Sequence, residues 1–281
     1  MSQTLPTVPF GPYQISRLLV GANCINGGSH LSRFVDEQMK AYFTEEQIFQ
    51  HLDDCIAQGI NAWQSGYCNL DQFVRYQQER GGLNYITLTE YEDDVPQALL
   101  EEYKAGGVAG VAHHGEATDV LFKRGDIDHI KDYLYRAKDL SGDSGMQIGV
   151  STHMPAVIDY IESAGWEVDF YMTCVYERHR TREELKKMLG YTPVPTPEVY
   201  LEEDPPRMYK MIQQTEKTCL AFKILAAGRL AQKAEWVEAA FKEAYSNIKP
   251  GDAVIVGMYP EYEDQVTMNA DYVRKYAGLS K

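Results

Sequence analysis

Short apolar runs of four to seven residues recur along the chain, and between them apolar positions return at helical spacing. The runs are Leu18–Gly21, Ala62–Gly66, Tyr85–Tyr91, Val108–His114, Gln147–His153, Phe170–Tyr176, Cys219–Leu225 and Ala253–Met258. Several lack polar alternation, the pattern of parallel strands covered on both faces. The intervening segments carry helix boundary signals. Thr44-Glu45-Glu46-Gln47 reads as a capping box opening Ile48–Ala57, with Gly59 as its stop. Asp126 opens Ile127–Asp139, Thr181 opens Arg182–Leu189, and Pro155 stands in the first turn of Ala156–Ala164, before Gly165. Further helices are predicted at Arg229–Asn247 and Tyr262–Tyr276.

Eight strands alternating with helices predict a (β/α)8 TIM barrel, one domain spanning residues 1–281. An open doubly wound sheet is the alternative, but no GxGxxG follows any strand. The stretch Gly190–Pro206 carries five prolines after the sixth strand and reads as a loop over the barrel mouth, a candidate lid.

Charge and cysteine usage narrow the class. A net charge of −14 opposes binding to nucleic acid or to an anionic membrane surface. No apolar run approaches the ~18 residues that cross a bilayer. The start, Met1 to Pro6, lacks the basic and apolar regions of a secretory leader. Five cysteines without a CxxC pair read as reduced thiols. The expectation is a cytoplasmic protein whose partner is a small-molecule substrate.

The candidate chemistry lies at the strand ends. Val108–Glu116 finishes in His113, His114, Gly115 and Glu116, and the following strand run ends in His153. Glu90, one of the paired histidines (His113 or His114) and His153 come from three consecutive strands. Two imidazoles and a carboxylate form a ligand set for a divalent metal such as Zn, Mn or Fe. Glu116 or Lys223 would then move protons, a chemistry suited to isomerisation, epimerisation, elimination or hydrolysis of a small polyol-like substrate. Plainer readings stand beside each. A strand-end histidine often only bonds a neighbouring carbonyl, and Glu90 and Lys223 could form a structural ion pair. Cys24 and Cys174 are buried thiols or nucleophiles. The basic run Glu177–Arg182 is an anion site or a solvated helix start, and Trp63 and the tyrosines stack on a sugar or simply pack.

Several segments together resemble the aldo/keto reductase superfamily. They are Pro9-Phe10-Gly11 through Gly21, Gln58–Asn61, Ile148–Pro155, Ala226–Leu230 and Val256–Met258. The resemblance implies that superfamily's barrel with an N-terminal β-hairpin, and an NAD(P) site at Gly228, Arg229 and Gly257. It also implies an Asp, Tyr, Lys and His tetrad. Here the aspartate position holds Gln64, the tyrosine position Asn69 with Tyr67 two places early, and the lysine position Glu90. Only the histidine, His113 or His114, is retained. The segment Tyr259–Asp264 is acidic where NADPH-dependent members are basic. The leading expectation is therefore an enzyme of this barrel type working by metal-assisted proton transfer. The alternatives are an oxidoreductase using Tyr67 or Tyr91 as proton donor, and a non-catalytic ligand-binding barrel.

Overall fold

The computed structural model describes residues 5–279. Residues 1–4, part of the segment behind the leader expectation, lie outside them. A hairpin, β1 (Thr7–Phe10) and β2 (Tyr13–Ser16), precedes the barrel. The barrel strands are β3 (Leu18–Gly21), β4 (Ala62–Ser65), β5 (Asn84–Leu88), β6 (Gly110–His113), β7 (Gln147–Thr152), β8 (Phe170–Cys174), β9 (Thr218–Phe222) and β10 (Ala253–Gly257). They pair in parallel in chain order, and β10 closes on β3. Strand ladders explain why the pairing is local: each crossover returns a strand beside its predecessor.

The helices are α1 (Arg33–Tyr42), α2 (Glu45–Ala57), α3 (Leu70–Glu79), α4 (Gln97–Ala105), α5 (Gly115–Arg124) and α6 (Asp128–Ser141). They continue with α7 (Pro155–Ser163), α8 (Arg182–Leu189), α9 (Asp204–Gln214), α10 (Ala234–Asn247) and α11 (Gln265–Tyr276). Among the described residues, no helix is long and apolar enough to cross a membrane. Thr44 and Thr181 cap α2 and α8 as their sequences predict, and it is on α8 that both bonds of a capping box are present. Other boundaries move. The cap of α6 is Ile127, without a side-chain bond, in place of Asp126. Residues 229–233 form a turn and α10 starts only at Ala234. The strand expected over Tyr85–Tyr91 ends at Leu88, so Glu90 stands in a loop.

Two cores divide the side chains by the period of two in a strand. Leu19, Ala62, Ile86, Ala112, Met172, Leu220 and Ile255 fill the barrel, and Leu18, Val20, Trp63, Val111, Val150 and Val254 face the helices. The hairpin plugs the bottom, where Phe10 meets Phe170 edge-on at 4.9 Å. Glycine is required there: a Cβ on Gly149 would lie 2.5 Å from the Phe170 ring. With the lower end filled, the space at the other end is left for a site.

Candidate functional site

The strand ends and the loops after them enclose a cavity of about 860 Å³. Its floor is Met172, Phe222, Ile255 and Leu88, the topmost inward residues of the barrel. Around that apolar floor stand His114, Glu116, His153, Lys223, Arg178 and Glu90. Such a pocket, apolar below with convergent polar groups, is the usual form of a small-molecule site.

The paired histidines separate because they are consecutive. Ala112 faces the barrel, so His113 faces outward with Val111. It is fully buried, its Nδ1 is 2.7 Å from the Thr118 hydroxyl, and its ring packs on Tyr133 at 5.2 Å. His113 is therefore a packing residue between β6 and the helices, and the expectation that it acts at the mouth is corrected. His114 turns inward to the cavity. It is also the N-cap of α5, and its Nδ1 accepts the Glu116 N–H at 3.3 Å. Since that nitrogen accepts, the ring proton of the neutral imidazole is on Nε2. Burial pushes His114 down to about 4, and the positive end of a helix also disfavours imidazolium. His114 thus enters the site as a neutral N–H donor.

Glu116, in the first turn of α5, lines the same cavity, and desolvation raises its carboxyl above the ordinary range. A carboxyl so placed keeps its proton to higher pH than an ordinary glutamate. On the next strand Ser151 and His153 face inward, while Thr152 faces out to α5. Asp119 of α5 is fully buried and accepts from the Thr152 hydroxyl at 2.5 Å and from His153 Nδ1–H at 2.8 Å. Burial holds the His153 imidazolium unfavourable and pushes Asp119 up to about 6. His179, after β8, brings its Nε2 to 3.9 Å from Asp119 Oδ2, and that buried nitrogen has no hydrogen-bond partner.

Asp119, His153 and His179 place one donor atom each within 4.8 Å of one another, and they could hold a divalent ion. No other such group of three occurs among the described residues. The set expected from the sequence, Glu90 with His113 or His114 and His153, is not brought together in this way. Glu90 is exposed, and among the described residues no ion pair joins it to Lys223. The sequence reading missed Asp119, and it read His179 as part of the basic run Glu177–Arg182 rather than as a ligand. Asp119 sits on a helix that opens at Gly115 with no Ser, Thr or Asp as its cap, so α5 left no recognisable start.

Lys223 follows β9 with a left-handed φ of 62°, which turns its side chain into the mouth. Its Nζ lies 3.2 Å from His30 Nε2, and burial pushes its amine down to about 8. His30 Nδ1 is 3.1 Å from Glu198, which also takes Arg178 at 2.7 Å. Glu198 belongs to the proline-rich stretch after β8 and bonds His30 and Arg178, which line the cavity. Glu198 is a second omission, since nothing local marks it; His30 is legible only as a histidine just after a strand end.

The residues at the nicotinamide positions fit hydride transfer poorly. Tyr67, on the cavity rim, donates its hydroxyl to Glu102 at 2.7 Å, and that bond raises its pKa. Tyr91 is exposed and leans on His114 at 4.6 Å. Neither makes a hydrogen bond to a lysine or histidine among the described residues. Gly228 and Gly257 line the cavity, but Arg229 stacks on Tyr200 at 4.2 Å and donates to the carbonyls of His30 and Ala226. The N–H groups of Gly228, Arg229, Leu230 and Ala231 are spent on carbonyls of their own loop. Those four N–H groups and that arginine are not free for a pyrophosphate, and Glu263 faces the same space. The assignment of Arg229 to a cofactor is corrected accordingly. Cys24 lines the cavity and Cys174 is buried, and burial raises both thiols to about 11, the behaviour of packing thiols.

No protein-family model and no curated protein sequence matches the chain. Solved structures do. A Pseudomonas aeruginosa protein provisionally described as an aldo-keto reductase superposes with a TM-score of 0.62 at 14% identity, covering 99% of this chain and 97% of its own. An aldo/keto reductase from Brucella melitensis gives 0.54 at 13% identity over 99% of this chain and 100% of its own. A truncated 3-deoxy-D-arabino-heptulosonate 7-phosphate synthase from Thermotoga maritima gives 0.55 at 10% identity over 98% and 92%. The chain therefore has the barrel fold of the aldo/keto reductases, hairpin included, and shares its barrel with enzymes of other chemistry.

Proposed function

We propose that this protein is an enzyme that moves a proton next to the carbonyl of a small polar, carbohydrate-like substrate, in the manner of an isomerase, epimerase or lyase. The observation that carries the reading is the cap on α5. Because Nδ1 of His114 is occupied by the Glu116 N–H, its Nε2–H is left to donate to a substrate oxygen in the cavity. A fixed neutral donor stabilises the negative charge that develops on a carbonyl oxygen as the adjacent C–H bond breaks. Glu116 carries the proton between neighbouring carbons, and its raised pKa matches that task. His153, with Nδ1–H held by Asp119, offers the second basic nitrogen of the cavity. The whole chain acts as one catalytic unit, with a small molecule as its only required partner.

The test is proton exchange. The full chain is incubated with short aldoses and ketoses in deuterated water, and the α-hydrogens are followed by NMR. Enzyme-dependent deuterium uptake or interconversion is expected for at least one substrate. Reduction of the same substrates by NADH or NADPH, with no exchange, would overturn the reading in favour of an oxidoreductase.

A second reading is favoured by His179 alone. Its buried, unpartnered Nε2 beside Asp119 is where a divalent ion would complete a set with His153. Such an ion would supply Lewis acidity beside His153, the member of the set that lines the cavity.

A further inference from the structure

Lys223 stands in a chain of three groups that proton transfer by His114 and Glu116 does not use. Glu198 Oε1 lies 3.1 Å from His30 Nδ1, and His30 Nε2 lies 3.2 Å from Lys223 Nζ. The carboxylate can only accept, so the His30 proton is on Nδ1 and its Nε2 lone pair faces the amine. Asn23 Nδ2, also 3.2 Å from Nε2, supports the same tautomer. An amine within reach of a base, itself oriented by a carboxylate, is the arrangement of an activated nucleophile.

Burial makes the Lys223 amine easier to deprotonate than an ordinary lysine, and among the described residues no carboxylate forms an ion pair with it. Its Nζ stands over the Phe222 ring at 5.7 Å. The groups that face it electrically are Arg178 and Arg229, which oppose its charge, and Glu198 and Cys174, which favour it. His30 and Lys223 both have left-handed backbone, with φ of 57° and 62°. For non-glycine residues that conformation costs free energy and is kept where a site needs it.

We propose that Lys223 captures the substrate carbonyl covalently, as an imine, with His30, oriented by Glu198, passing its proton on to the departing hydroxyl. The inference rests on the carbonyl substrate class proposed above. The Nζ lone pair forms the C–N bond as the C=O π pair moves to oxygen, which accepts a hydrogen bond from His114 and takes a proton from Glu116. The nitrogen passes a proton to His30 Nε2. His30 then gives that proton to the hydroxyl oxygen as the C–O bond breaks, water leaves, and the nitrogen lone pair completes the protonated C=N bond. Protonated, that imine draws electrons from the neighbouring C–H or C–C bond more strongly than the carbonyl it replaces.

The test traps the adduct on the full chain with dihydroxyacetone and sodium borohydride, followed by intact mass and peptide mapping. One reduced adduct on the Lys223 peptide is expected, and it is lost in Lys223→Arg, which keeps the charge. His30→Asn, which tolerates left-handed backbone, should slow trapping at neutral pH about a hundredfold. The deficit should shrink as pH rises and the lysine loses its proton unaided, whereas a merely misfolded site would not recover. Labelling spread over surface lysines, or no adduct at Lys223, overturns the proposal. If α-hydrogen exchange persists without the adduct, capture alone has failed. An adduct at Lys223 without exchange would instead leave capture standing and remove the proton-transfer reading.

Discussion

The imidazole of His114 caps the helix that carries Glu116, accepting its backbone N–H at 3.3 Å, so one contact sets both the donor and the acid–base group of the cavity. The helix is ordered by the residue that would polarise the substrate. Cap and catalysis can nevertheless be separated, because asparagine also caps helices well.

His114→Asn should preserve the cap, with a stability change below about 1 kcal/mol, and remove the Nε2–H from the cavity. Turnover in the exchange assay is expected to fall about a hundredfold or more. Urea unfolding and kinetics on the same preparation decide it. Full activity in this variant would mean that the ring is only a cap.

Glu116 and Glu90 are distinguished by position. Glu116→Gln removes the cavity carboxylate whose pKa burial raises, and exchange should drop by about two to four orders of magnitude. Glu90 is exposed on the rim, so Glu90→Gln should leave activity within a few-fold. The reverse ranking would return Glu90 to the role its sequence position first suggested.

Tyr67 offers its hydroxyl to Glu102, away from any lysine or histidine partner among the described residues. Tyr67→Phe should therefore leave substrate turnover unchanged. Complete loss of turnover, with nicotinamide oxidation detected in the parent protein, would identify Tyr67 as a reductase proton donor.

Acid should unfold this protein early. Burial holds His30, His51 and His114 at about 4 and His113 at about 3, against an ordinary 6.5. Between those values the unfolded chain binds protons that the folded chain refuses, so stability present above pH 6.5 is lost as pH falls toward 4. Each group contributes at most about 1.4 kcal/mol per pH unit over its window. Urea midpoints measured from neutral pH downward should decline across that window. A flat profile would show that these rings are hydrated in the folded state.

The Asp119, His153 and His179 group is checked by calorimetric titration with zinc. If it holds an ion, saturable uptake at one site is expected, and His179→Ala should abolish it while the protein still melts cooperatively. Uptake unchanged in His179→Ala would place the ion elsewhere and leave Asp119 as the partner that orients His153.

What the sequence by itself determined is the barrel. Each strand lies between the interior and a helix, so its residues must be apolar on both faces, and that demand is written locally in runs such as Val108–Ala112 and Ile148–Val150. The strand ends leading to His114, His153 and Lys223 were legible for the same reason. Only the tertiary structure chose between His113 and His114, because adjacent residues in a strand face opposite ways and the phase is set by packing against Tyr133. Only barrel closure could bring His30 to Lys223, 193 residues away, and Glu198 to His30, 168 residues away. Asp119 met His153 in the same way, since a helix packed on a neighbouring strand is a contact that no local spacing records.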